Sequence, residues 1–318
     1  MFNTISTFVN LLLLLLFSVT THAATYPLPT PGNDMVGQII HYTVKAGDTL
    51  DKIANQHDIG IYQMLEANRH ISNPYKLRVG ETVIIPQQFI LPTYRHGIVL
   101  NIAELRLYYF PKDKDVVMTY PVAMGREAWR TPTGSTRIVK KVENPTWHVP
   151  KSIREYTLTT TGKLLPESIP PGPDNPLGHY ALYLGFSGYL IHGNNAPWTI
   201  GRLVSSGCIR MHNDAIESLF SMVDIGTPVT IVHHENKVGW YNGALYLESH
   251  APISLDEAYN RMNIQPFDVA IYEAIQGKHI EINWNEAESV AKAQSGIPTM
   301  ISFTHLSKQV DANTQAMK

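Results

Sequence analysis

Apolar positions are distributed unevenly along this chain, and each change of pattern marks a different kind of segment. Leu11 to Leu16 form an unbroken leucine run, flanked by Phe8, Val9, Phe17 and Val19 and closed by the small-residue exit Thr21-His22-Ala23-Ala24. That layout predicts a cleaved secretory signal over residues 1–23, although the leading MFNTIST carries no Lys or Arg. The run is too short to span a bilayer and no later stretch of about 18 apolar residues follows, so no stable membrane insertion is expected. Residues 24–38 are rich in Pro, Thr and Gly without apolar periodicity and predict an extended linker.

From Ile39 the pattern sharpens. IIHYTV reads as a strand. AGDTL follows as a turn, with Asp48 as the expected helix cap and Leu50, Ile53 and Ala54 on one helical face. Ile61, Met64 and Leu65 suggest a second short helix, and ETVIIP a closing strand, giving a small α/β module over 39–87. From Gly97 apolar and polar residues alternate (Leu100, Ile102, Leu105, Leu107, Tyr109), and VVMTYPVAM, STRIVKKV, YALYL and GYLIH continue as short strands. A helix is expected from Asp214, with Glu217 completing a capping box, before PVTIVH returns to strand. Residues 95–234 therefore read as a mainly β domain with one or two helices. Its proline-rich LPESIPPGPDNPLG, Leu165 to Gly178, cannot be a ladder strand and is expected to be an ordered loop walling a site. Residues 235–304 mix strand-like pieces (GALYLESH, HIEINW) with helix starts at Ser254–Glu257 and Asn285–Glu288, an α+β extension; the polar, aperiodic 305–318 reads as a disordered tail.

Charge narrows the field. With 25 Lys and Arg against 27 Asp and Glu the chain has no basic excess for nucleic acid. Its 14 His do not spell a metal site: His233 and His234 are adjacent, there is no HExxH helix, and His192 and His212 lack carboxylates at ligand spacing. No metal and no cofactor is expected. The single cysteine, Cys208, has more to say. In an exported protein it cannot close an internal disulfide, so it is an inert buried thiol, an intermolecular partner or a protected nucleophile. Ser206 and Gly207 before it, and Ile209-Arg210 after it, place it among small residues, backbone amides and a permanent cation, surroundings expected to favour thiolate. His192 ends the apolar strand GYLIH, and Gly193 can turn the chain so that its ring faces a neighbouring strand end. Gly207 permits close approach of a carbonyl, with the amides of Ser206 to Cys208 aimed at an oxyanion. Ser205, Ser206 and Arg210 complete the candidate substrate contacts.

Two families are resembled. YTVKAGDTLDKIANQHDIGIYQMLEANRHI and LRVGETVIIP, within His41 to Pro86, resemble a LysM module, which implies binding to N-acetylglucosamine-containing glycans such as peptidoglycan. His192-Gly193, fourteen residues, then Cys208 in SSGCIRM, with AMGREAWRTPTGSTRI and PPGPDNPLGHYALYLG upstream, resemble the L,D-transpeptidase catalytic domain, a β-sandwich, and the C-terminal region resembles the extension of Gram-negative periplasmic members. The resemblance implies that Cys208 attacks the carbonyl between diaminopimelate and the terminal D-alanine of a tetrapeptide stem. D-alanine leaves, and the acyl group passes to an amine on a second stem or on an outer-membrane protein; water as acceptor would make a carboxypeptidase. It further implies His192 as base, oriented by the Gly193 carbonyl, and Arg210 in substrate or loop positioning. Ser206 stands where many members have His, so no role for that second His is carried over. A papain-like reading is disfavoured because His192 precedes Cys208.

Overall fold

The computed structural model describes residues 23–253 and 265–303. The expected signal segment apart from Ala23, the helix start at Ser254–Glu257 and the tail at 305–318 lie outside the described residues. In chain order, β1 (Ala24–Pro27) precedes a small module of β2 (Met35–Thr43), α1 (Leu50–Gln56), α2 (Ile61–Ala67) and β3 (Thr82–Ile90). β2 and β3 pair antiparallel, and Leu50, Ile53 and Met64 bury against them. Thr49, not Asp48, caps α1: its hydroxyl accepts from the amide of Lys52 (3.2 Å). Asp48 instead ties the preceding turn, accepting from Tyr42 Oη (2.9 Å) and the Lys45 amide (2.8 Å).

The central domain runs β4 (Gly97–Asn101), β5 (Arg106–Phe110), β6 (Val116–Pro121), β7 (Met124–Gly125), β8 (Gly134–Glu143), β9 (Trp147–His148), α3 (Lys151–Thr161), β10 (Ser168–Ile169), β11 (Tyr180–Leu184), β12 (Leu190–His192), β13 (Leu203–Ser205), β14 (Ile209–Arg210), α4 (Asn213–Met222) and β15 (Pro228–Val232). One sheet carries most of it, in the order β1-β6-β5-β4-β15-β8-β11-β12-β14. Residues from distant parts of this sheet, Tyr120 of β6 and Ile209 of β14 among them, share one core with Ile216 and Leu219 of α4, so the sheet curls over itself. The protein is mainly β, as expected.

The expected linker at 24–38 is corrected. Ala24 to Pro27 pair antiparallel with β6, Ala24 opposite Thr119 and Pro27 opposite Val116, and β2 already begins at Met35. β1 is an edge strand, where a proline can sit without costing the ladder a bond. Nor does the β4–β6 meander alternate between protein and water. Ile98, Leu100, Leu107 and Tyr120 face the central core, while Val99, Tyr108, Phe110 and Val117 face the core of the small module. Both faces of the sheet are dry here, which is why its strands read as nearly continuous apolar runs.

α3 was not expected. It buries none of its residues, so KSIREYTLTTT shows no core-facing stripe. Gly162, at φ 71°, closes it in the left-handed conformation that glycine adopts without strain. α4 begins at Asn213 after His212, with no side-chain cap, so the expected Asp214–Glu217 box does not form.

The C-terminal unit comprises β16 (Asn236–Tyr241), β17 (Ala244–Ser249), α5 (Phe267–Ala274), α6 (Trp284–Ala293) and β18 (Thr299–Met300). Asn283 caps α6, two residues before the expected start, accepting from the Glu286 amide (3.2 Å). HIEINW makes only an isolated bridge, Ile282 to Ser302.

Buried charges weld the three units. Lys237 Nζ sits between Glu104 (3.0 Å) and Glu248 (2.8 Å) and donates to the Ile90 carbonyl (2.7 Å). His250 meets Glu66 of α2 at Nδ1 (3.0 Å) and Glu248 at Nε2 (2.9 Å). Arg106 is fully buried, bonds Gln63, Thr119 and the Asp58 carbonyl, and lies 4.3 Å over the Phe89 ring.

Candidate active site

β12 and β14 are parallel neighbours, with Ile191 opposite Ile209 and His192 opposite Arg210. The period of two turns Ile191 and Ile209 into the core and leaves Leu190, His192, Cys208 and Arg210 on the other face. That face is one wall of a cleft of 690 Å³, which all four line together with Ser206, Tyr183, Trp147 and residues of α3. Leu165, Pro176 and Leu177 close another side, so the proline-rich loop does wall the site.

His192 is buried, and its Nδ1 lies 2.7 Å from the Gly193 carbonyl oxygen. A carbonyl only accepts, so Nδ1 carries the proton and the lone pair of the neutral ring is left on Nε2. Burial first, then the charge of Arg210, hold the ring neutral, with a pKa lowered to about 3 despite backbone bonds at Gly193, Leu177 and Pro176. The chain turns after His192, but Gly193 serves there by its lack of a side chain and not by a left-handed backbone: its φ is not positive, and a Cβ there would lie 2.4 Å from Asn213 Oδ1. Asn213 accepts from the Asn194 amide (2.9 Å) and donates to the Asn194 carbonyl (3.0 Å), fixing the turn after the histidine.

Cys208 is half-buried, and its thiol faces the Gly188 carbonyl (3.6 Å). Burial pushes its pKa up, beyond what the Leu190 amide and Arg210 offset, so the resting group is a thiol and the expected thiolate is corrected. Its loop is over-determined. Gly207 has φ 106°, its carbonyl accepts from Thr131 Oγ1 (2.8 Å), and a Cβ would lie 2.8 Å from the Tyr189 ring. Ser205, expected at the substrate, is buried; its hydroxyl donates to the Cys208 carbonyl and accepts from the Gly207 amide (3.1 Å). That bond takes the Gly207 amide away from an oxyanion, leaving those of Ser206 and Cys208 for the purpose.

Thr131, Tyr189, Asn194, Asn213 and Gly178, where a Cβ would lie 2.6 Å from Asn213 Oδ1, escaped the sequence reading. Each acts through packing or a bond to a residue distant in the chain, and only TPTG and PLGHY, inside the quoted resemblance, hinted at two of them. Glu104, Glu248 and His250 present ligand atoms within 4.8 Å of one another, but Lys237 Nζ already fills the space among them.

A thiol, a neutral imidazole and a guanidinium in one cleft equip a protein for acyl transfer through a thioester. Residues 95–231 match the YkuD family of L,D-transpeptidase catalytic domains and residues 42–86 the LysM domain. A probable L,D-transpeptidase of Escherichia coli K12, ErfK/SrfK, is 40% identical over 298 residues, 91% of this chain and 94% of that one. Another from the same strain, YbiS, is 37% identical over 292 residues, 90% and 94% of the two chains. A putative L,D-transpeptidase of Bacillus subtilis, YkuD, is 33% identical over 193 residues, 61% of this chain and 99% of the other. This chain belongs to the L,D-transpeptidase family.

Proposed function

We propose that the protein cross-links or tethers peptidoglycan with Cys208 as nucleophile and His192 as base. The carrying observation is that both side chains project from adjacent parallel strands into one cleft, with the His192 tautomer set by Gly193. Sγ attacks the carbonyl between diaminopimelate and the terminal D-alanine of a tetrapeptide stem as Nε2 takes the thiol proton. The C–N bond then breaks, the proton passes to the leaving amine, and D-alanine departs. An incoming amine, of a second stem or of an outer-membrane protein, attacks the thioester and gives a proton to His192 Nε2; the C–S bond breaks and His192 passes that proton to Sγ, restoring the thiol. The neutral pair suits this cycle, because no charge is buried until the transition state forms.

The LysM module holds the glycan strand, and the mature protein works in the periplasm once its signal segment is removed; the 1–23 pattern and the module's resemblance support these two points. Incubation with a purified disaccharide-tetrapeptide, followed by mass spectrometry, tests the reaction. Release of D-alanine with formation of a stem dimer is expected, and both should vanish in Cys208→Ala. Release of D-alanine without dimer, with water as the acceptor, would make the protein a carboxypeptidase instead.

A further inference from the structure

The loop that follows His192 leaves the cleft and ends on the small module. At its near end Asn195 donates to the Asp174 carbonyl (3.2 Å), in the proline-rich loop that walls the cleft. At its far end Gly201 lies against Gly60 before α2, and Arg202 bonds Asp51 in the first turn of α1 (2.8 Å). Between these anchors the backbone is pinned around a single 3-10 turn, Pro197–Thr199. The Ala196 amide donates to Asn194 Oδ1 (2.8 Å), Thr199 Oγ1 to the Ala196 carbonyl (2.6 Å) and Arg202 Nε to the Trp198 carbonyl (3.1 Å). On this fixed stretch the Trp198 side chain is 68% exposed. Residues 194–201 carry no charge, and Arg202 beyond them is paired with Asp51. The module offers a second open ring at the same support. Tyr75, 67% exposed, follows Pro74, whose carbonyl accepts from the Leu50 amide (2.8 Å) beside Asp51.

We propose that Trp198 is a stacking platform for sugar rings of the glycan strand, so that one strand is held by the small module and by the catalytic domain's own loop together. The proposal rests on peptidoglycan being the substrate. A β-linked N-acetylglucosamine ring carries its polar groups at the rim and turns C–H bonds up and down. That flat face packs on the electron-rich face of an indole, and burying it there removes apolar surface of both partners from water. The uncharged amides and hydroxyl around Trp198 suit the hydroxyl and acetamido groups at the sugar rim, whereas an ionic partner finds no countercharge. Reach agrees with this placement. Trp198 is six residues from His192, so at most about 22 Å away and less with the 3-10 turn between them; a four-residue stem spans up to about 14 Å. A strand resting on Trp198 therefore lets the stem of a neighbouring sugar enter the cleft.

Oligomers of N-acetylglucosamine, a trimer and a hexamer, carry no peptide and so separate strand binding from acyl transfer. Their affinities are measured by isothermal titration calorimetry for the wild type, Trp198→Ala, Trp198→Leu and Trp198→Tyr, with thermal unfolding checked for each. The wild type should bind the hexamer about ten-fold more tightly than the trimer, the factor that one stacked ring contributes. Trp198→Ala and Trp198→Leu should both bring the two affinities to within a few-fold of each other, and Trp198→Tyr, which keeps a ring, should retain part of the preference. If Trp198→Ala does not fold, Trp198→Leu carries the test. A hexamer bound no more tightly than the trimer by the wild type, or an undiminished preference in a folded variant without the ring, would overturn the proposal. Binding of neither oligomer by the wild type would overturn the glycan reading beneath it.

Discussion

Arg106 and Arg210 are the same residue type in two regions of one molecule, and they are treated in opposite ways. At the junction of the three units Arg106 is saturated by Gln63, Thr119, the Asp58 carbonyl and the Phe89 face, and Lys237 and His250 are each held between two carboxylates. In the cleft Arg210 keeps a buried Nε without an acceptor, and Cys208 and His192 rest as a neutral pair. Paired buried charges fix geometry, whereas the unpaired one is available for chemistry. The small module is accordingly part of the framework of the catalytic domain. Arg202 of the loop between His192 and Cys208 bonds Asp51 of α1 (2.8 Å), and Gly201 packs so closely on Gly60 that a Cβ there would lie 2.5 Å from the Gly60 Cα.

The largest effect should fall in the cleft and leave the junction untouched. Cys208→Ala should abolish acyl-enzyme formation, read by intact-protein mass spectrometry, with the melting temperature unchanged within error. At the junction the opposite is expected. Lys237→Ala leaves Glu104 buried without its cation and Glu248 with His250 alone, and should cost about 3–5 kcal/mol of stability, measured by urea unfolding, while acylation at a temperature where the variant is folded stays close to wild type.

Gly193→Ala probes how much geometry the cleft needs. The added Cβ meets Asn213 Oδ1 and must shift the turn that holds the His192 ring, so acylation should fall on the order of 100-fold with KM altered less.

The smallest effect is one of pH. Burial disfavours a charged His250, yet its bonds to Glu248 and Glu66 outweigh burial and raise its pKa to about 10. Glu248 is held below its usual range: burial opposes this, but Lys237 and His250 prevail. A raised histidine stabilises fully below its unfolded pKa of about 6.5 and loses that contribution as pH rises through the folded value. Melting temperature should therefore decline between about pH 7 and 10, and His250→Gln should flatten the decline.

How much of this was legible in the sequence depends on how local each signal is. His192-Gly193 and Gly207-Cys208 stood out because a catalytic pair needs its neighbours in the chain. Met64, Ile53 and Leu50 betrayed their helices through spacing alone. β1 escaped because four residues ending in proline show no periodicity, and α3 because it buries nothing. The β4–β6 meander reads in the sequence as alternating strands, but that both its faces are buried does not show there, because the second face is covered by a module encoded earlier in the chain. Arg210 was recognised as a candidate, but that it lacks a partner is a property of everything folded around it.

The central claim is that a neutral thiol passes its proton to a neutral His192 as it is acylated, and the acylation rate against pH tests it most directly. A carbapenem, whose strained carbonyl acylates thiols, serves as the probe, with adduct formation followed by intact-protein mass spectrometry from pH 6 to 10 for wild type and His192→Ala. Wild type should acylate readily at neutral pH with one adduct. His192→Ala should be strongly slowed there and recover as alkali ionises the thiol unaided. Equal rates for the two proteins at neutral pH would contradict the account and remove His192 from the chemistry.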